Sequence, residues 1–458
     1  MALSAALLQA ISEGRPLATV VTITLPASAG GDLQLSDRPV VDSSLGAFEA
    51  RITSFSKVTR RLSGPDGTLD TPTLTLTVSD SGTEDEPVWR LGRVGRRLEG
   101  APVVVKWAAE GVAPADWSTR FTGYVVSRRA GSERNTHQVT CRVDDRWLSR
   151  PIGPRLTADV WPTAETQAEG GSGGETVLGR RAPVVYGSCS STGLGSHGLR
   201  KLLFIQTAGS PWRWLYSVGL AQVEALFIDG EPVASGWTLV QEFRGGWWWT
   251  TVDFAVDPRP EDGQGGKKAI VVTADGIGLS VGAFGDDTSS AAQLRHALEA
   301  FGGPWDGATA VSAQLTDTDS WDALVAACVA AGDEGAGVLG GRDQTTTLRD
   351  LVRDMARGWG WAFYWTREGK LAVLQEQWAR AIPPPEPGTS TWLAEGELLL
   401  EPLALQEEDA EHRTPGLRLR YCPGPDGQPL LDVTAMDPLK LDEEPEEITL
   451  PLGPQRVV

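Results

Sequence analysis

Cysteine and histidine are scarce in this chain, and that scarcity bounds its chemistry. Four cysteines, Cys141, Cys189, Cys328 and Cys422, are spread over 458 residues with no CxxC pair. This spacing excludes a zinc ribbon and a thioredoxin-like redox motif, and isolated thiols fit a reducing compartment. The four histidines, His137, His197, His296 and His412, form no HxH, HxxxH or HExxH pattern. Any metal site would need ligands gathered from distant segments. No apolar run reaches the roughly 18 residues of a spanning helix. The opening MALSAALLQAISEGRP has neither a basic n-region nor a full apolar core. It is expected to be a short amphipathic helix on Leu3, Leu7, Leu8 and Ile11, and no signal peptide. Basic residues are outnumbered, 41 against 60 acidic ones, for a net charge of −19. That balance argues against gripping nucleic acid by its phosphates and against adhesion to anionic lipid. An acidic wall would let a polyanion slide past, although acidity serves plain solubility equally well.

What is abundant points to β structure. Gly 53 and Pro 30 are high, and helix-length apolar periodicity is rare. The length predicts about three or four domains. Val21, Ile23 and Leu25 alternate with threonines, as do Leu74, Leu76 and Val78, so each run is a half-buried strand. Ala101 to Trp107, Phe121 to Val126 and Val139 to Val143 continue the series, the last two divided by a turn at Gly131–Asn135. Five or more such strands suggest a barrel or sandwich. A connector follows over Arg155 to Arg181, with the flexible composition Gly170-Gly-Ser-Gly-Gly174, and then the strand Ala182-Pro-Val-Val-Tyr-Gly187.

A second β module is read from Lys201 to about Ala274. Val223 to Ile228 is a strand, Asp229-Gly230 is a hairpin turn, and Trp237 to Val240, Trp247 to Phe254 and Ala269 to Thr273 complete a small sandwich. The period then changes. Leu294, Ala297, Leu298 and Phe301 mark one helix, and Trp321, Leu324, Val325 and Cys328 mark another capped by Asp319 or Ser320. Leu348, Leu351, Val352 and Met355 form the apolar stripe of a third, with Thr347 and Asp350 in capping-box positions and Gly358 and Gly360 as its stop. Trp361 to Trp365 and Leu371 to Leu374 then make a hairpin around Arg367-Glu-Gly369. The tail is proline-rich at Ile382 to Pro387 and acidic at Glu407 to Glu411 and Asp442 to Glu447. Between the acidic runs, Leu417 to Tyr421 and Leu430 to Val433 flank Gly424-Pro-Asp-Gly427 as a hairpin.

No segment carries a catalytic signature. Gly193-Leu-Gly195-Ser-His197-Gly198 matches GxGxxG, but a strand-like run follows where a dinucleotide site needs a helix, and no acid stands near Val218. Tyr186-Gly-Ser-Cys189-Ser has the wrong glycine frame for a serine elbow, and its nearest histidine is His197. Carboxylate pairs for glycosidic cleavage stay open, since 60 acids offer many spatial pairings. The 18 tryptophans invite a functional reading. Trp247, Trp248 and Trp249 alternate faces along a strand, and Trp212 and Trp214 do likewise with Tyr216. They are candidate interface aromatics, with core packing and sugar stacking as the alternatives.

The order of segments resembles the tail-tip (baseplate) hub proteins of tailed bacteriophages. Four landmarks carry the resemblance. Arg120-Phe-Thr-Gly-Tyr124 with Val139 to Asp145 resembles the end of the first hub barrel. Ala182 to Gly187 resembles the family's P-V-x-Y/F-G connector. Phe227-Ile-Asp-Gly230 with Ser235-Gly-Trp-Thr238 resembles the inserted small β domain. The helix and hairpin of Thr346 to Gln375, with Gly369-Lys-Leu371, resemble the unit that follows it. The resemblance spans about residues 15 to 378.

It implies a β-rich, multidomain α+β chain. Residues 1–154 would be an N-terminal hub β-barrel, 155–199 a connector, 200–278 a small β-sandwich-like domain and 279–378 an α+β domain. Residues 379–458 would be an acidic C-terminal β segment belonging to a second hub barrel, completed here or by another polypeptide. The function implied is structural: a homotrimer at the virion tail tip, assembled in the host cytoplasm, adapting a sixfold tail tube or distal tail protein to a threefold tip. Its expected partners are the tape-measure protein and other tail-tip or fibre proteins, with DNA only in passage through the channel and no stable membrane insertion. No cofactor, metal or catalytic residue is expected. The alternative is a carbohydrate-binding or cell-wall-degrading tail-tip protein.

Overall fold

The computed structural model describes residues 3–26, 32–42, 44–63, 67–79, 98–130, 136–161, 177–189, 200–205, 211–261, 263, 268, 270–279, 289–303, 314–333, 335–339 and 346–375. It also describes the backbone of strands at 416–423, 429–436, 446–449 and 452–454. The architecture is β-rich and multidomain, with several sheets and four α-helices among the described residues, as the sequence predicts.

A short helix, α1 (Ala5–Ser12), begins the described chain, capped by the Ser4 hydroxyl. Its inward face is Leu7 and Ala10, whereas Leu8 and Ile11 are exposed. The expected stripe is therefore rotated, because Leu7 and Ala10 pack on Val20, Ala108 and Trp117 on the outside of the first sheet. That sheet has nine strands: β1 (Leu17–Ile23), β2 (Leu33–Ser36), β3 (Val40–Asp42), β4 (Gly46–Ala50), β5 (Ile52–Phe55), β6 (Thr73–Ser79), β7 (Pro102–Ala109), β8 (Ser118–Ala130) and β9 (Thr136–Arg142). Their order is β3-β4-β2-β1-β7-β8-β9-β6-β5.

The two ends of this ladder are neighbours in the chain. β4 and β5 are separated only by Arg51, whose N–H donates to Ser36 O (2.9 Å) and whose carbonyl accepts from Ser79 N–H (2.8 Å). The sheet must therefore curl until its opposite sides meet at Arg51, although the ladder does not close as a continuous ring between β4 and β5. Alternation does the rest: in β6, Leu74, Leu76 and Val78 point inward beside Val105, Phe121 and Cys141, and the threonines point out. The expected turn at Gly131–Asn135 lies outside the described residues.

The second β unit is a sandwich. Its connector strands β10 (Val184–Tyr186) and β11 (Ser188–Cys189) lead to β12 (Arg200–Lys201), β13 (Leu203–Phe204), β14 (Trp212–Val218), β15 (Gln222–Ile228), β16 (Glu231–Pro232), β17 (Trp237–Arg244), β18 (Trp247–Phe254) and β19 (Val272–Ile277). One sheet runs β11-β19-β15-β16 with β12 on β19, and the other runs β13-β14-β18-β17. Asp229 (φ 50°) and Gly230 (φ 87°) both occupy the left-handed region, the geometry of a tight hairpin turn. The expected strand over Ala269–Thr273 begins later, at Val272. The Gly170–Gly174 and Gly193–Gly198 segments lie outside the described residues.

Helices α2 (Ser290–Gly302), α3 (Thr318–Ala330) and α4 (Leu348–Trp359) and the hairpin β21 (Trp361–Trp365)–β22 (Leu371–Gln375) form the α+β part, with β20 (Gly335–Leu339) pairing on β10. α4 carries the expected reciprocal capping box between Thr347 and Asp350. Its stop is Gly360 alone, left-handed at φ 65°, and Gly358 is helical. The cap of α3 is Asp317, not Asp319 or Ser320. The Asp317 N–H donates to Leu371 O, and this tie to β22 sets where the helix starts.

At the C-terminal side, β23 (Gly416–Pro423) pairs antiparallel with β24 (Pro429–Met436) and parallel with β25 (Glu446–Thr449), while β26 (Leu452–Pro454) adds to β20. The expected hairpin is present. β23, β24 and β25 form a three-stranded sheet of their own, and β26 extends the β10–β20 sheet. The acidic run at Glu407–Glu411 lies outside the described residues.

Candidate functional site

The tryptophan-rich strands lie in a sheet with a core on each side. β14 and β18 are buried along nearly their whole length. On one face Trp214, Tyr216, Val252 and Phe254 fill the sandwich. On the other, Leu215 and Trp249 join the large core that runs through the connector and the helices. Alternation along a strand separates these faces but cannot reveal that both are covered.

The five candidate tryptophans consequently fall into four situations. Trp214 and Trp249 are core residues. Trp214 sits between Phe204 (4.6 Å between ring centroids) and Phe254 (5.3 Å). Trp249 meets Trp161 edge-on at 5.5 Å and donates from Nε1 to Arg244 O at 2.9 Å. Trp247 is half-buried and stacks on Phe301 of α2 at 5.7 Å, so it joins the sandwich to the helical part. Trp212 is half-buried beneath the Arg259 guanidinium, 4.7 Å from its ring. Trp248 pairs with Phe243 of β17 at 5.5 Å, and Phe243 is 50% exposed. β17 pairs only with β18 among the described residues, and it carries the exposed Leu239 on the same side as Phe243. Of the candidate aromatics, Trp248 is the one paired with an exposed aromatic side chain at this edge.

Charged side chains are concentrated at the joints. Arg213 holds Asp253 through two hydrogen bonds, Nε to Oδ1 at 2.7 Å and Nη2 to Oδ2 at 2.6 Å, and also pairs with Glu242. Burial disfavours the Arg213 charge, but Asp253 and Glu242 outweigh it and its pKa is raised. The buried helix α2 uses one polar group for each neighbour. Gln293 donates to Gly335 O (2.6 Å), Arg295 to Asp322 (2.5 Å), and Glu299 accepts from the N–H groups of Gln314, Leu315 and Thr316. His296 Nδ1 lies 2.9 Å from the Tyr186 hydroxyl. These polar residues carry no motif in the sequence; only the interruption of the apolar stripe by Gln293, Arg295, His296 and Glu299 signals a helix with several neighbours.

The buried reactive groups are held in neutral form. Burial pulls His296 down to about 3 and pushes the Tyr186 phenol upward. Burial pushes the Cys141 thiol up to about 12, and burial with the nearby Asp333 does the same for Cys328. Thiols in this state are poor nucleophiles at neutral pH. No group of three or more His, Cys, Asp or Glu converges as a metal set among the described residues.

No protein-family model matches the chain, and no curated protein matches it. Among solved structures, it is similar to a chain from the virion of a native gene transfer agent particle, at 10% identity and a TM-score of 0.24. The match covers 57% of this chain and 80% of that one.

Proposed function

We propose that the chain is a structural component of a phage-like virion, and within it a tail-tip hub protein that matches a sixfold tube to a threefold tip around a channel. The observation that carries this reading is the order of parts. A curled nine-stranded sheet is followed by a connector strand, an inserted sandwich and a helix-hairpin unit that folds back onto the first sheet. The fold-back is close: a side chain on Gly369, at the hairpin tip, would meet Thr122 O of β8 at 3.0 Å. This is the succession the hub resemblance implies.

The chemistry of the interior is consistent with an adaptor. Buried Arg213 and Asp253 are paired, and the buried thiols of Cys141 and Cys328 are protonated. The exposed edge of β17, with Leu239 and Phe243, is the kind of strand that recruits a neighbour unless blocked. Closed rings are how such adaptors assemble, and three copies per tip is the stoichiometry proposed.

The test is imaging of isolated particles with a tag at the C-terminus, together with mass photometry of the purified chain. Density for the tag at the tip and a threefold assembly are expected. Tags along the shaft or in the capsid, or a monomer that binds or cleaves cell-wall glycans, would overturn the assignment.

A further inference from the structure

The curled first sheet has a cavity at its mouth. About 260 Å³ opens over Leu74, Leu76, Val105 and Phe121, with a lining that is overwhelmingly apolar. An engineered apolar cavity of about 150 Å³ is enough to hold benzene. Residues 56–63 cross this mouth as a strap. The strap is tied to β6 by Ser56 N–H to Thr75 O (2.8 Å) and to β21 by Ser63 N–H to Phe363 O (2.7 Å). On the far side of the strap lies a polar hollow of about 480 Å³, where Asp317, Asp319 and Glu368 face Arg60 and Arg367. Arg60, on the strap, borders both spaces.

Charge is unbalanced on the apolar side of this partition, where Lys57, Arg60 and Arg120 line the cavity and no carboxylate does. Arg60 Nη2 donates to the carbonyl of Arg120 at 2.6 Å, and Arg60 Nε is buried with no acceptor. The Arg120 guanidinium lies over the Trp107 ring, 3.6 Å from its centroid. Burial and the fields of Arg367 and Arg120 hold Arg60 below the ordinary arginine range, and burial and Arg367 do the same to Arg120. Glu368 offsets part of the field at Arg60. Among the described residues none of the three arginines has a carboxylate within ion-pair distance. The chain carries 60 acidic residues, so carboxylates to neutralise this cluster are not in short supply. Partly desolvated guanidinium groups left to repel one another are destabilising, and arginine is the side chain suited to grip a carboxylate through paired N–H groups.

We propose that this is a binding site for a carboxylate carried on an apolar body, with Arg60 and Arg120 holding the anion and the cavity of the curled sheet taking the body. Charge complementarity selects the head and the apolar lining selects the tail. Two sources share that chemistry: a free medium-chain carboxylic acid, and a peptide carboxylate beside a bulky apolar side chain on another protein. The inference does not depend on where the chain sits in a particle.

The experiment measures calorimetric affinity and melting temperature of the full chain with four probes: octanoate, octan-1-ol, sulfate at matched ionic strength, and the acetylated dipeptide Leu-Phe with a free C-terminus. Octanoate or the dipeptide should bind at least about tenfold more tightly than either octanol or sulfate. Arg60→Met and Arg120→Met should each weaken that binding by about tenfold or more, and should leave the ligand-free melting temperature unchanged or raised, since each removes a repulsive charge. Tighter binding of the dipeptide assigns the site to a partner chain, and tighter binding of octanoate assigns it to a free acid. Equal binding of octanol and octanoate would show that the arginines do not select the ligand, and equal binding of sulfate would show an ion patch without use of the cavity; either overturns the proposal, as does no binding at all. If a variant fails to fold, wild-type crystals soaked with 8-bromooctanoate decide: bromine in the cavity supports the site, and bromine elsewhere removes it.

Discussion

The Asp145 carboxylate accepts a hydrogen bond from Arg349 Nη2 at 2.8 Å, across 204 positions of sequence. It also accepts from Thr71 Oγ1 (2.8 Å) and Arg142 Nη2 (2.7 Å). Asp145 ends the first β unit and Arg349 lies in the first turn of α4, so one buried carboxylate ties the curled sheet to the helix-hairpin unit. The backbone reinforces the tie next door, where Leu348 N–H donates to Arg150 O at 3.0 Å.

Asp145→Asn should therefore loosen this joint and cost about 2 kcal/mol at neutral pH, the scale of a hydrogen bond to a charged group. Burial alone would raise the Asp145 pKa. The hydrogen bonds from Arg349 and Thr71 and the fields of Arg142 and Arg349 outweigh it, and the net shift is below the ordinary 3.8. A depressed carboxylate pKa gives stability that is present above the unfolded value and is lost as pH falls through the folded one. Urea denaturation should show the wild-type advantage over the variant at pH 7 and its shrinkage below about pH 4. An advantage that persists undiminished at pH 2.5 would contradict this role.

His296 sets a second, separate pH window. Burial lowers its pKa from 6.5 to about 3, so in the folded chain it stays neutral where the unfolded chain takes up a proton. The unfolded state then binds more protons between these values, and stability should rise with pH across that range. Wild-type stability should fall by about 1.4 kcal/mol for each pH unit below 6.5 on account of this residue. His296→Gln should be less stable at pH 7 yet flatter from pH 6.5 to 4.5. Parallel curves for the two proteins would remove His296 as the cause.

Arg213 and Asp253 should behave as a unit. Both are buried; without Asp253 the guanidinium keeps Glu242, whereas without Arg213 the Asp253 carboxylate loses its cation. Arg213→Met should cost about 3–5 kcal/mol, the usual penalty for orphaning one partner of a buried pair. The double variant Arg213→Met, Asp253→Ala should recover part of that loss. The coupling term from a double-mutant cycle, measured by chemical denaturation, is the check; strict additivity would mean that the pair contributes nothing jointly.

What could be read from the sequence was local. The capping box of Thr347 and Asp350, the Asp229-Gly230 turn and the alternation of Leu74, Leu76 and Val78 each depend on residues a few positions apart, and each is present. The cap of α3 moved to Asp317 because β22, more than fifty residues later, holds that residue's N–H. Which tryptophans are core could not be read for a related reason. Trp249 could face outward on a two-layer sandwich, but the connector brings Trp161 against it and makes the sheet an inner layer. The arginine pair at the cavity was invisible because Arg60 and Arg120 come from separate segments and share no motif.

Gly67 and Gly14 offer a matched test of close packing. Both have positive φ, 72° and 75°, so an added Cβ strains each backbone by about 1–2 kcal/mol. At Gly14 nothing lies within 4 Å of that Cβ, whereas at Gly67 it would fall 2.5 Å from the backbone oxygen of Arg353 in α4. Gly67→Ala should accordingly destabilise the chain clearly more than Gly14→Ala, because α4 itself must shift. Melting temperatures of the two variants decide it, and equal losses would mean that the Gly67 segment does not press on the helix.

The edge of β17 gives the prediction that bears most directly on assembly. Leu239 and Phe243 are exposed on one side of a strand that pairs only with β18 among the described residues. If this edge meets a neighbouring chain, a lysine there should block it, as charged residues block edge strands elsewhere. Phe243→Lys should leave folding within about 0.5 kcal/mol of wild type, the range for substitutions at exposed positions. It should shift the purified protein from assembled to monomeric species at concentrations where the wild type is assembled, as read by mass photometry. A lysine at the exposed Val256, on another stretch of surface, controls for added charge and should leave assembly intact. Should Phe243→Lys assemble like wild type, the contact lies on some other face, and the Trp248–Phe243 pair serves only to cover the end of the sandwich.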